Sequence, residues 1–170
     1  MYHDHTRKVF LATLTSAALL GLVSRGVPAS AQDAPAERAV ARSAGDASLT
    51  WGACPAFMPS GCALAVLHGD PSKPNADVFF RVPAGSSLPV HRHTSAERMV
   101  LVAGELRVAF EGQEPTVLTP GTYAYGPPGR PHGGACVSAT PCILFIAFEG
   151  PVDALPGTGP MSAANGVGSP

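Results

Sequence analysis

The sequence predicts a single all-β domain of the sandwich or barrel kind, and three observations point to it. Hydrophobic residues make up 45% of the 170 and charged residues 14%, enough apolar material for one ordinary core and too apolar for a disordered chain. Gly 19 and Pro 18 together exceed a fifth of the residues, which suits many short strands separated by turns better than long helices. From about Leu49 onward, short apolar runs alternate with turn signals: CALAVLHGD, DVFFRVPAG, RMVLVAGELRVAF, PTVLTPG, TYAYGPPG and CILFIAFEG. No stretch offers a convincing helical period.

The chain divides into four parts. Residues 1–31 read as a signal peptide: Arg7 and Lys8 give a basic start, Val9 to Val23 is apolar without charge, and Ala29-Ser30-Ala31 ends in small side chains before a cleavage point. Paired arginines are missing, so the general secretory route is expected, with the mature protein periplasmic or secreted. Residues 32–48 mix Ala, charges and small polar residues and read as a flexible linker. Residues 49–150 form the domain, in which Ala103-Gly104-Glu105 splits one long run into two strands expected to pair as a hairpin, and Gly112 to Pro115 turns the chain again. Residues 151–170 are rich in Gly, Pro and Ala and are expected to be a disordered tail.

Charge excludes two classes of partner. The net charge is -1, and with Arg7, Lys8, Arg25 and Asp4 set aside, 8 basic residues face 11 acidic ones beyond Ala31. Neither nucleic acid nor an anionic membrane is recruited by such a balance. No apolar run reaches the roughly 20 residues of a membrane helix, so no membrane contact is expected after cleavage.

The cysteines fit an oxidising compartment. Cys54 and Cys62 flank Pro59 and Gly61, and Cys136 and Cys142 flank Pro141, so each pair can close a short turn-rich loop. Two local disulfides are favoured, although four cysteines allow three pairings and the crossed ones stay open on sequence alone. A thiolate zinc site competes less well, because the spacings lack a Cys-x-x-Cys knuckle.

The chemistry concentrates in Gly85-SSLPV-His91-Arg92-His93-Thr94-Ser95-Ala96-Glu97. On a strand, side chains at i and i+2 face the same way, so His91 and His93 can aim two imidazoles at one point. Beyond a polar step at Thr94 and Ser95, Glu97 can return to that point as a third ligand, and His132, just after the turn signal Pro127-Pro128-Gly129, is the candidate fourth. Each residue alone has a plainer reading, as a solvated loop histidine or a surface carboxylate; together they describe a site for one divalent ion. Three imidazoles and one carboxylate suit iron, manganese, nickel, copper, cobalt or zinc.

Gly85, His91, His93, Glu97 and Gly104, followed by Gly121, Pro127, Gly129 and His132, resemble the two motifs of the cupin family in spacing and order. The sequence departs at the end of the second motif, where Cys136 stands in place of the usual Asn. The resemblance covers about residues 60–150 and implies an antiparallel jelly-roll β-barrel with the four residues as metal ligands. It implies no single reaction, because similar small cupins include dioxygenases, isomerases, lyases and plain ligand-binding proteins.

The leading expectation is a metal-dependent oxidoreductase of dioxygenase type acting on a small enolic, diketone or aromatic substrate, with Glu97 as general base. A redox-neutral lyase or isomerase and a non-catalytic small-ligand sensor are the alternatives. Arg81, Met99, Tyr123 and Tyr125 are the candidate substrate-binding residues, arginine for a carboxylate and tyrosine for a carbonyl or ring. Sheet edges make a homodimer an open expectation.

Overall fold

The computed structural model describes residues 37–158. The signal peptide read at 1–31 and the tail beyond residue 158 lie outside the described residues. All of the strands belong to the unit that begins at Val40.

Among the described residues the chain forms strands and no helix. In order they are β1 (Trp51–Ala53), β2 (Ala63–His68), β3 (Ala76–Val82), β4 (Ser87–Arg92), β5 (Glu97–Ala103) and β6 (Leu106–Phe110). There follow β7 (Thr116–Leu118), β8 (Tyr123–Gly126), β9 (His132–Cys136), β10 (Cys142–Phe148) and β11 (Leu155–Pro156). They make a six-stranded sheet, β1-β2-β3-β10-β5-β8, and a five-stranded sheet, β11-β4-β9-β6-β7. Every pairing is antiparallel, which is the jelly-roll architecture expected.

The strict alternation in β10, where Cys142, Leu144, Ile146 and Phe148 are buried, sets one face of the larger sheet inward. Val78, Phe80 and Val82 of β3 and Met99 and Leu101 of β5 join them, and Leu88, Leu106, Val108 and Leu118 answer from the smaller sheet. Burial of these faces against each other is the main stabilising term, at roughly 25 cal/mol per Å² of apolar surface removed from water.

Two expectations about local structure need correcting. β5 and β6 do not pair as a hairpin, because β5 lies between β10 and β8 while β6 lies between β9 and β7. The chain changes sheets at Gly104, whose φ of 82° puts it in the left-handed region and whose Cα packs so close to Cys142 that a Cβ would fall 2.9 Å from its Cα and Sγ. The segment after Gly150 is also not wholly a loose tail: Leu155 pairs with Arg92 and Pro156 with His91, adding β11 to the edge of β4. By contrast the turn at Gly112 to Pro115 does join two paired strands, β6 and β7.

The cysteines pair locally, Cys54 with Cys62 and Cys136 with Cys142, leaving none free. The second bridge joins the end of β9 to the start of β10 and is fully buried. Replacing Cys136 and Cys142 together by alanine should cost about 2–3 kcal/mol of stability, since even a short closed loop restricts the unfolded chain by that much. The midpoint of urea unfolding reads this directly, and a midpoint unchanged within error would show the bridge to be idle.

Candidate metal centre

The four residues picked out by their spacing meet between the sheets. β4 and β9 pair so that His91 lies opposite His132, both directed inward from the smaller sheet. Glu97 opens β5 on the larger sheet, and His93 sits just before the bend at Thr94 and Ser95 that carries the chain across. All four are buried, at 4%, 8%, 3% and 7% exposure for His91, His93, Glu97 and His132. Unpaired ionisable groups are rarely so buried, so the cluster calls for a reason.

Hydrogen bonds to the far side of each ring supply one. His91 Nδ1 donates to the carbonyl of Pro89 at 2.8 Å, His132 Nδ1 to that of Arg130 at 3.1 Å, and His93 Nδ1 to that of Asp153. A carbonyl can only accept, so each Nδ1 carries the proton and each Nε2 presents a lone pair. The three rings thus offer ligand atoms that all lie within 4.8 Å of one another. Glu97 closes the set: Oε1 is 3.3 Å from His93 Nε2 and Oε2 is 3.4 Å from His132 Nε2. Even so, His93 Nε2 and Glu97 Oε2 are buried without a hydrogen-bond partner. Two buried polar atoms without a partner, side by side in one site, are a costly arrangement for an apo protein and a natural one for a cation. The residues therefore fit a divalent ion held by His91, His93 and His132, with Glu97 as the fourth donor.

Electrostatics agree. Burial pushes His91 down to about 4 and His132 to about 3, where the charge of neighbouring His91 adds to the effect, and it lowers His93 as well. Burial raises Glu97 to about 8, assisted by the negative charge of Asp153. The imidazoles are thus neutral and ready to ligate at neutral pH, while the carboxyl of the metal-free protein holds a proton that a cation would displace.

Stability should follow with a definite sign. A histidine depressed from 6.5 contributes stability that is full above 6.5 and is lost as pH falls toward its folded value. Glu97, raised from 4.5, contributes stability that is full below 4.5 and is lost as pH rises through about 8. Three histidines outweigh one carboxyl on the acid side, so the metal-free protein should be most stable near neutral pH and weaken in both directions. Metal loading should remove the alkaline loss, because the ion favours the carboxylate. Thermal unfolding from acid to mildly alkaline pH, with chelator and with metal, tests this; a chelated protein that keeps gaining stability toward pH 8 would contradict it.

Around the donors lies a cavity of about 130 Å³, walled by side chains such as Met58, Phe80, Leu88, Met99, Val108 and Ile146. Of the four residues expected to bind substrate, Met99 is in this wall. The other three are not. Arg81 has the parity of Asp77 and Phe79 on β3, opposite to the inward Val78, Phe80 and Val82, and its guanidinium stacks on Trp51 at 4.2 Å. Tyr123 and Tyr125 lie on β8, paired with Val100 and Arg98 on the outward face of β5, and are 58% and 49% exposed.

The residues missed from sequence lie just past β10. Val152, Asp153 and Ala154 border the cavity, and the Asp153 carbonyl holds His93 while its carboxylate accepts from Thr94 N at 3.0 Å. No motif marks them. Gly126 is a second such residue: a Cβ there would fall 3.1 Å from Glu97 Oε2 and 3.4 Å from the Phe110 ring. Gly126→Ala should displace the Glu97 carboxylate and weaken metal binding several-fold with the barrel intact, which metal titration and circular dichroism together would register.

Comparison with known proteins finds the same domain and fold elsewhere. Cupin domain sequences match residues 78–148, a span running from β3 through β10 that contains all four donors. Among curated proteins none matches significantly. Solved structures do: a DMSP lyase at 16% identity and TM-score 0.57, covering 65% of this chain and 63% of that one, and the DMSP lyase DddQ of Ruegeria pomeroyi at 23% and 0.53, covering 69% and 63%. The chain thus spans under two thirds of the length of these lyases, and at such identities the likeness is one of fold. An RmlC-like cupin of Shewanella frigidimarina matches at 25% identity and TM-score 0.51, covering 62% of this chain and 86% of that one. Barrel, motifs and donor geometry thus agree with the cupin domain matched at residues 78–148, and the chain has the cupin fold.

Proposed function

We propose that the protein is an exported metal-dependent enzyme of dioxygenase type, acting on a small substrate that chelates the ion. The observation that carries the reading is the convergence of four buried donors, two of them orphaned, in the wall of an apolar cavity. A structural metal would more often be sealed in a tetrahedron rich in thiolates, whereas the cysteines here are spent on disulfides. A divalent ion bound here would supply Lewis acidity and coordination positions left open by the protein.

The chain's own residues do the rest. His91, His93 and His132 are locked in one tautomer by backbone carbonyls, so they hold their lone pairs in place without reorganising. The apolar wall lowers the local dielectric and so strengthens charge interactions at the donors. Glu97 is the one carboxylate among the donors, and with its carboxylate free of the ion it would accept the substrate's acidic proton. The two disulfides support export to an oxidising, oxygen-rich compartment.

Metal analysis of the purified mature protein, followed by assays of enolic and diketone substrates with and without O2, tests the proposal. Turnover that requires O2 and ceases on zinc substitution is expected. Turnover unchanged in the absence of O2 or with zinc would assign the site to the redox-neutral lyase reading, the reaction class of the DMSP lyases whose fold it shares. Tight binding without turnover would make it a sensor.

A further inference from the structure

The wall of the metal cavity limits what can occupy it. Apart from the four donors and Asp153, none of the described side chains lining it is charged, and none carries a hydroxyl or an amide. Met58, Leu88, Val108 and Ile146 are typical of what a ligand meets there. Arg81, Tyr123 and Tyr125, which could have received a carboxylate or a hydroxyl, face elsewhere. A polar group carried on the body of a ligand would therefore lose its water and gain no partner, at about 1–3 kcal/mol for a neutral group and more for a charged one.

Charge and size add two further limits. Three neutral imidazoles and one carboxylate around a divalent ion leave one positive charge against an apolar wall, which a single anionic head neutralises and a second anion would overfill. The cavity is about 130 Å³, somewhat smaller than the roughly 150 Å³ apolar cavity that takes up benzene, and the ion shares that space.

We infer that the site selects compact amphiphiles: one monoanionic chelating head on the ion, and a short hydrocarbon body against Met58, Leu88, Val108 and Ile146. Sugars, hydroxy acids and dicarboxylates are refused. This rests on the metal-centre reading and adds the chemical class of the occupant.

Isothermal titration of the zinc-loaded protein with four hydroxamates tests it, because all share one chelating head. Propionohydroxamate and glycolohydroxamate have the same number of heavy atoms and differ in one methyl for one hydroxyl. The first should bind about tenfold to a hundredfold more tightly. Succinomonohydroxamate, with a carboxylate on its body, should bind far more weakly than either, and octanohydroxamate, too long for the cavity, more weakly than propionohydroxamate. Glycolohydroxamate or succinomonohydroxamate binding as tightly as propionohydroxamate would overturn the inference while leaving the metal centre standing. So would tightest binding by octanohydroxamate.

Absence of zinc uptake would overturn the metal centre and this inference with it, whereas a zinc-loaded protein that binds none of the hydroxamates would overturn the inference alone. In Val108→Thr, or in Met58→Gln should the first not fold, the preference for the methyl over the hydroxyl should shrink several-fold. A preference unchanged in a folded variant would take the selectivity out of the wall and refute the assignment.

Discussion

His132→Ala yields a folded protein that retains no metal through dialysis. Losing a partner that merely orients a metal ligand costs roughly 10–100-fold in affinity, so losing the ligand itself should cost more than about 100-fold, and turnover should vanish with the metal. The fold should survive, because His132 contributes a desolvated ring that is held far below its ordinary protonation range and has little net stabilising role without an ion. Metal content and chelated thermal stability are the two readings. A variant that holds stoichiometric metal would remove His132 from the site. Glu97→Gln separates shape from charge: it should bind metal more weakly than the parent, and its chelated form should no longer lose stability as pH rises through about 8.

Ending the chain at Gly150 should have the second-largest effect, although it deletes none of the four donors. It removes the Asp153 carbonyl that fixes the His93 ring, the Val152 and Ala154 edge of the cavity, and the β11 pairing on β4. Metal affinity should fall about 10–100-fold. Asp153→Ala should fall less, since it keeps the carbonyl and loses only the carboxylate that accepts from Thr94 N. Competition with a chromophoric chelator measures both. Equal losses in the two variants would mean that the side chain, and not the backbone, positions His93.

The features legible in the sequence are those the chain encodes locally. His91, His93 and Glu97 lie within seven residues, and the two-residue period of a strand followed by a bend is enough to aim them together. His132 was legible because a Pro-Gly turn announces it. The donors' supports were not legible, for they arise from pairing across the barrel. β11 comes from a stretch rich in Gly and Pro that resembles a disordered tail, and only its partner β4 gives it order. β9, with Gly133 and Gly134 in the middle, has no hydrophobic run to announce a strand; Gly134 is there because a Cβ would fall 2.3 Å from the Arg107 carbonyl oxygen. Tyr123 and Tyr125 were misplaced for the same reason. Two residues apart they do share a face, but which face depends on their register against β5.

The link between His93 and the Asp153 carbonyl joins positions 60 residues apart. For a chain synthesised from its first residue, this makes the order of assembly a matter of timing. Both disulfides span eight residues or fewer and can form early, whereas His93 receives its support only when almost all of the chain has emerged. A growing chain would thereby be kept from seizing an ion at full strength before the barrel exists to hold it. Nascent chains stalled on either side of Asp153 should differ sharply in metal capture, and equal capture by both would show that the ring is set without it.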